Sequence, residues 1–402
     1  MFMKLLFIHD RFGALAGAEA NIFHTAAEFQ RRGHTVGILH GPGTGRGEAG
    51  WCHIFSNRFA IPTQAVQAGV ADLVAKFGPD AIYVHKLADA RVLEALLATD
   101  TPLVRMVHDH ELYCMRSYKY NYFTRAVCTR ALSPFCVFPC GASVARNREK
   151  GFPLKWVGYT AKKKELELNR HFHRVIVGSA YMKQELLRNG FAEERIEIHP
   201  PATNVDSAAA GSTFSNRNLI VYAGQLVRGK GVDVLLEALA QVLVPCECVI
   251  VGEGNHRAHC EALCRKFGLE DRVRFTGFVP QDKLKEFYGE ASVAVLSSVW
   301  PEPFGAVGLE AMRYGVPVVA FDAGGIKEWL MDGHNGFLVP WMDRARFALR
   351  VEQLLRDKSL AREMGERGRR SVAQDFSFDR YITGLEGLFA RVVGQTPEQC
   401  VA

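Results

Sequence analysis

Two glutamates stand eight positions apart in "PEPFGAVGLEAM", Glu302 and Glu310, and the first is followed closely by Phe304 and Gly305. A carboxylate can accept hydrogen bonds from two neighbouring hydroxyls, the arrangement that sugars and riboses present. A glycine turn that opens a helix exposes backbone N–H groups, which attract phosphate. A second stretch, "YAGQLVRGKGVDVLLEAL", carries Arg228 and Lys230 just before another helical pattern. Cations there suit a diphosphate, whose developing charge on departure they would neutralise. A third, "MVHDHELYC", offers His108 and Asp109, an imidazole and a carboxylate able to orient a hydroxyl or take a proton. The loop "HDRFGALAGAEANIF" adds Gly13 and Gly17 ahead of Glu19. Each has a plainer alternative. Glu310 would complement a helix dipole, Glu302, Arg228 and Lys230 would be solvated, and His108 would make a structural contact.

These residues need rigid supports, and the chain provides them. Continuous apolar runs recur from "KLLFIH" (Lys4–His9) through "TVGILH", "AIYVH", "PLVRMVH" and "RVIVGS", with amphipathic helical patterns between most of them. Runs of this kind read as strands of a parallel sheet covered on both faces. One helix is expected over Glu19–Arg32, stopped by Gly33. After "HPPATNVDSAAAGSTFSNRN" the pattern restarts with "NLIVYAG", "CECVIVG", "RVRFTG", "SVAVLSS" and "VPVVAF", and three helical segments follow from about Arg344 to Val393.

The expected organisation is α/β, with two doubly wound parallel-sheet domains facing a cleft. An N-terminal Rossmann-like domain spans 1–203, a linker 204–217, a nucleotide-binding Rossmann-like domain 218–375, and a C-terminal helix within 376–402 that packs back on the first domain. Ligands of such folds sit at the carboxyl ends of the strands. Glu302, His108 and Lys230 all fall at such ends.

At 402 residues the chain exceeds one ordinary core. No apolar stretch approaches the ~18 residues that span a bilayer. A cytoplasmic protein is expected, with peripheral membrane association as an option. The net charge of +6 is uneven. Residues 1–203 hold 26 Lys and Arg against 18 Asp and Glu, so the first half carries the positive field.

In their order along the chain, the "GAE" loop, "VHD", "GQLVRGKG" and "PEPFGAVGLEAMRYGVPVVA" closely resemble the family 4 glycosyltransferases of the GT-B fold, the retaining type with an E-x7-E motif found among bacterial cell-surface glycan enzymes. The likeness covers essentially the whole chain, and the last block is highly specific. It implies metal-independent transfer of a sugar, with retention, from a nucleotide-sugar donor (a UDP- or GDP-sugar). It gives Glu302 the donor sugar's hydroxyls, Phe304 and Gly305 main-chain amide contacts, Glu310 the ribose, Lys230 the diphosphate and His108 a contact to the donor sugar. Gly17 matches the second glycine of the first loop. In the implied mechanism the leaving phosphate oxygen takes the acceptor's proton, and no cofactor is required. The absence of an Asp-x-Asp motif agrees with that. Two positions depart from the pattern. Gln225 stands where an arginine is usual, with Arg228 as a possible substitute, and Ala16 stands where glycine is common.

Two other classes on this fold compete, a non-hydrolysing nucleotide-sugar epimerase and a non-catalytic sugar-binding relative. The "PEPFG…E" block argues against the first, and intact Glu302, Glu310, Lys230 and His108 against the second. A dinucleotide oxidoreductase is disfavoured, because "VGEGNH" lacks the third glycine of the fingerprint and no full one follows either domain's first strand. The acceptor is expected on the first domain, as a glycan or polyprenyl-linked glycan. There "RNREKGFPLKWVGYTAKKKEL" (Arg146–Leu166) mixes basic and aromatic residues, which suits an anionic membrane surface more than nucleic acid. Cys114, Cys128, Cys136 and Cys140 form a candidate structural zinc site. The pairs Cys246/Cys248 and Cys260/Cys264 are expected in the core, and "FTGFVPQDKL" (Phe275–Leu284) is expected to meet the base.

Overall fold

The computed structural model describes residues 2–14, 17–146, 154–202, 215–280 and 283–394. Ala16 and most of the expected linker lie outside these. The chain forms two compact units. Unit 1 gathers Met1–Tyr118, Thr129–Pro201 and Phe378–Ala402; unit 2 gathers Lys119–Cys128 and Ala202–Ser377.

Unit 1 is built on β1 (Lys4–His9), β2 (Thr35–His40), β3 (Asn57–Ala60), β4 (Ala81–Lys86) and β5 (Leu103–Val107), then a hairpin of β6 (Val144–Arg146) and β7 (Leu154–Trp156), then β8 (Arg174–Val177) and β9 (Ile196–Ile198). Seven of these form a parallel sheet in the order β3-β2-β1-β4-β5-β8-β9. The central strands are buried along almost their whole length, as covering on both faces requires. The edge strand β3, "NRFA", alternates between half-buried and exposed. It has no apolar run, which is why the sequence gives little sign of it. The first helix runs Gly17–Arg31 and buries Ile22, Ala26 and Phe29.

The chain's last described helix, Phe378–Gly394, belongs to unit 1. It buries Ile382, Leu385, Leu388, Phe389 and Val392. The Phe389 ring meets Phe29 at 6.0 Å and Tyr83 at 5.1 Å, both edge-on. Arg32 reaches Glu386 at 2.8 Å and Asp379 at 2.6 Å. At roughly 1.5–3 kcal/mol per buried aliphatic or aromatic side chain, the apolar face dominates these exposed-rim ion pairs.

Unit 2 holds β10 (Leu219–Ala223), β11 (Glu247–Val251), β12 (Val273–Gly277), β13 (Val293–Leu296), β14 (Val318–Phe321) and β15 (Gly336–Val339). The parallel order is β12-β11-β10-β13-β14-β15. The order reverses at β10, which has β11 on one side and β13 on the other. Loops leaving β10 and β13 at their carboxyl ends therefore emerge side by side, at the switch point where ligands bind such sheets. This pairing (Ile220↔Val293, Val221↔Ala294) is what brings residues 230 and 302 together.

Candidate functional site

The loop after β10 ends in a short 3-10 turn, Arg228–Lys230, and then a helix, Val232–Leu239. Gly231 joins them at φ +66°, where a Cβ would lie 2.0 Å from the Ser297 carbonyl oxygen. Only glycine lets this loop press so closely on the one after β13. Lys230 is thereby delivered to Glu302: its Nζ donates to Glu302 Oε1 at 2.7 Å. The same oxygen accepts from Trp300 Nε1 at 3.0 Å and from the Ser298 hydroxyl. Glu302 is 5% exposed. Burial alone would raise its pKa, yet Lys230, Ser298 and Trp300 outweigh it and hold the carboxyl below its ordinary value. An ionised, preorganised carboxylate results. Lysine has three donors, so one bond to Glu302 leaves others for a ligand.

The Glu302 backbone is pinned as well. Its N–H donates to the Ala323 carbonyl at 3.2 Å and its carbonyl accepts from Gly325 N–H at 2.8 Å, which ties the loop to the end of β14. Gly305 sits at φ +80°, and Trp329 Nε1 donates to the Phe304 carbonyl at 2.7 Å. Phe304 is buried and Gly305 half-buried. Glu310 lies half-buried in the first turn of the helix Val307–Arg313.

Gln225 is exposed, and its carbonyl accepts from the Tyr222 hydroxyl at 3.2 Å. Arg228 is half-buried, its guanidinium 4.9 Å from the centre of the Tyr122 ring, with Nε buried and unbonded among the described residues. Tyr122 belongs to the segment Lys119–Cys128, which unit 2 takes from the middle of the N-terminal half. This strap is fastened by the Arg125–Asp233 ion pair and by Tyr120 edge-on to Trp300 at 6.4 Å. Sequence reasoning missed Ser298, Trp300, Tyr122, Arg125 and Asp233. Ser298 and Trp300 were legible only as neighbours of Glu302. For the strap no local signal exists, since its partners lie over 100 residues away.

In unit 1, His108 follows β5 and lines a small cleft together with Asp10, His85, Lys86, Arg105 and Asp109. His85 Nδ1 and His108 Nε2 are 2.9 Å apart, and the rings stack at 5.2 Å. Burial first, then the charges of His9, Lys86 and Arg105, push His108 down to about 3. His85 is driven down by burial too. Both rings are therefore neutral, one donating to the other. Lys86 pairs with Glu111 at 2.8 Å and Asp109 at 3.4 Å. Gly17 opens the first helix at an exposed position, and a Cβ there would meet nothing within 4 Å. Packing does not demand glycine at that point. Glu19 is buried, 3.6 Å from His9.

Of the basic stretch Arg146–Leu166, residues 147–153 lie outside the described residues. Trp156 is 74% exposed. The lysines of "KKKEL" are each in an ion pair, Lys162 with Glu165, Lys163 with Glu167 and Lys164 with Glu94. Their field is thus partly cancelled. No helix among the described residues is long and apolar enough to cross a membrane. The expected base segment Phe275–Leu284 includes residues 281–282, which are not described.

The zinc expectation needs correction. Among the described residues, Cys114, Cys128, Cys136 and Cys140 do not bring three or more thiols within 4.8 Å of one another. Cys248, Cys260 and Cys264 are buried as expected, while Cys246 is half-buried just before β11.

Two family models match the chain: "Glycosyltransferase Family 4" over residues 15–207 and "Glycosyl transferases group 1" over 206–371. An uncharacterized glycosyltransferase of Methanocaldococcus jannaschii, MJ1607, is 34% identical over 166 residues, 41% of this chain and 42% of that protein. The lipopolysaccharide core biosynthesis glycosyltransferase LpsE of Rhizobium meliloti is 35% identical over 165 residues, 41% of this chain and 47% of LpsE. The chain spans about half the length of the curated relatives it matches. In fold it is similar to Anabaena HepE, solved in complex with UDP, with a TM-score of 0.74 at 22% identity, covering 97% of this chain and all of that one.

Proposed function

For a chain that belongs to the family 4 glycosyltransferases of the GT-B fold, as the two abutting family matches establish, we propose transfer of a sugar from a UDP- or GDP-sugar to a glycan or lipid-linked acceptor, with retention at the anomeric carbon. The observation that carries it is Glu302, a buried carboxylate held ionised by Lys230, Ser298 and Trp300 at the switch point of unit 2. All three donors sit on Oε1, which leaves Oε2 as the acceptor for a sugar hydroxyl. Lys230, with its remaining donors, and Arg228, with an unbonded Nε, supply the positive charge that a departing nucleoside diphosphate needs. Arg228 stands in for the arginine that Gln225 replaces. Glu310 takes the ribose, and Phe304 and Gly305 offer their main-chain amides.

His108 keeps the role the resemblance gives it, a contact to the donor sugar. As a neutral imidazole it would bond hydroxyls without carrying charge. The proton of the acceptor hydroxyl passes to the leaving phosphate oxygen, so no side chain need act as nucleophile. The name of LpsE, a lipopolysaccharide core biosynthesis glycosyltransferase, supports a cell-surface glycan product, and the complex of HepE with UDP supports a UDP-sugar as the first donor to try.

The test is release of UDP or GDP from a panel of nucleotide-sugars. Activity with one donor, lost in Glu302→Ala and in Lys230→Ala, is the expected result. Release unchanged in both variants would refute the assignment.

A further inference from the structure

We propose that Asp233, His256 and His259 of unit 2 form a binding site for one divalent transition-metal ion of the zinc type. One potential ligand atom from each of the three lies within 4.8 Å of the others. His256 caps the helix Arg257–Lys266 and His259 sits within its first turn, so the two imidazoles share one face; their ring centres are 4.6 Å apart. Asp233 comes from the first turn of the neighbouring helix Val232–Leu239.

Two buried atoms here make no hydrogen bond of ordinary length, although His256 Nε2 approaches Asp233 Oδ2 to 3.6 Å. Asp233 is 6% exposed, and its Oδ1 is buried with no hydrogen bond; His256 Nε2 is buried and unbonded too. Leaving buried polar atoms unpaired is costly, and a cation between them would satisfy both. Arg125 pairs with the other oxygen, Oδ2, which leaves Oδ1 for a metal. Two imidazoles and one carboxylate favour zinc over magnesium or calcium, which prefer all-oxygen sets. Because His259 is exposed, water can fill the remaining position. The ion would join the starts of two helices three residues beyond Lys230, bracing the loop that carries it. The proposal rests on these side chains and not on the transferase reading.

The test uses the full chain without an affinity tag, stripped by a chelator and titrated with Co²⁺ and then Zn²⁺. One equivalent of Co²⁺ should bind with visible d–d absorption, and Zn²⁺ should displace it. His259→Ala and His256→Ala should each weaken binding at least roughly tenfold. His259 is exposed, so His259→Ala should also leave the metal-free thermal midpoint unchanged. A Cys114→Ser/Cys136→Ser variant should bind as the parent does. Binding well below one equivalent, or binding that survives both histidine changes, would overturn the proposal.

Discussion

Removing the lysine that neutralises Glu302 should invert how unit 2 responds to pH. In Lys230→Met the Glu302 carboxylate, whose side chain is 6% exposed, keeps only the Ser298 and Trp300 donors. Breaking a buried ion pair by removing one partner costs roughly 3–5 kcal/mol. The Lys230 side chain is 21% exposed, so solvent screening places the loss near the low end, about 3 kcal/mol at neutral pH. For a unit of this size that corresponds to a fall of roughly 6–12 °C in thermal midpoint. The sign follows from linkage. In the native protein the Glu302 pKa lies below its ordinary 4.5. Its contribution is therefore present above 4.5 and lost as pH falls through the folded value. Without Lys230, burial becomes the dominant influence and lifts the folded pKa above 4.5. The protonated form then favours folding at low pH, and that advantage disappears as pH rises. The gap between parent and variant should widen from about pH 4 to about pH 7. Calorimetry or urea unfolding at several pH values measures it, and adding Glu302→Gln to Lys230→Met should recover part of the loss and flatten the profile. A loss under about 1 kcal/mol, or an equal gap at both ends of the range, would refute the reasoning.

Three further outcomes are expected. Arg125→Ala leaves Asp233 without its guanidinium, raises that carboxyl above its present value of about 2, and costs ~3 kcal/mol at neutral pH; the deficit should shrink as pH falls toward 3, and limited chymotrypsin cleavage at Tyr122 or Phe123 should accelerate, whereas unchanged cleavage would sever the link between this ion pair and the strap. The His108 ring should show no titration between about pH 5 and 8 by nitrogen chemical shift, because burial keeps it neutral; a midpoint near 6.5 would contradict the buried placement. Phe389→Ala empties a site between Phe29 and Tyr83 and should cost unit 1 roughly 3–5 kcal/mol in thermal or urea unfolding, with a change under about 1 kcal/mol arguing against that packing.

What the sequence by itself determined is the alternation of apolar runs and amphipathic helices, and with it two parallel sheets whose strand ends carry Glu302, Lys230 and His108. These are local signals: period, length and the glycines that end helices. The same local reading passed over β3 and β9, whose short edge positions need no apolar run. It also offered Cys114, Cys128, Cys136 and Cys140 as ligands, because spacing along a chain says little about which thiols meet. Tertiary structure alone decided which side chains meet. Lys230 reaches Glu302 because β10 pairs with β13, and Gly231 allows their loops to touch. Arg125 reaches Asp233 because the segment Lys119–Cys128 packs with unit 2. Asp233, His256 and His259 converge from two helices with no motif to announce them. The physical reason is range. Backbone preference and hydrophobic period act over a few residues, whereas burying a charge requires a partner that only the packed sheet brings within hydrogen-bonding reach.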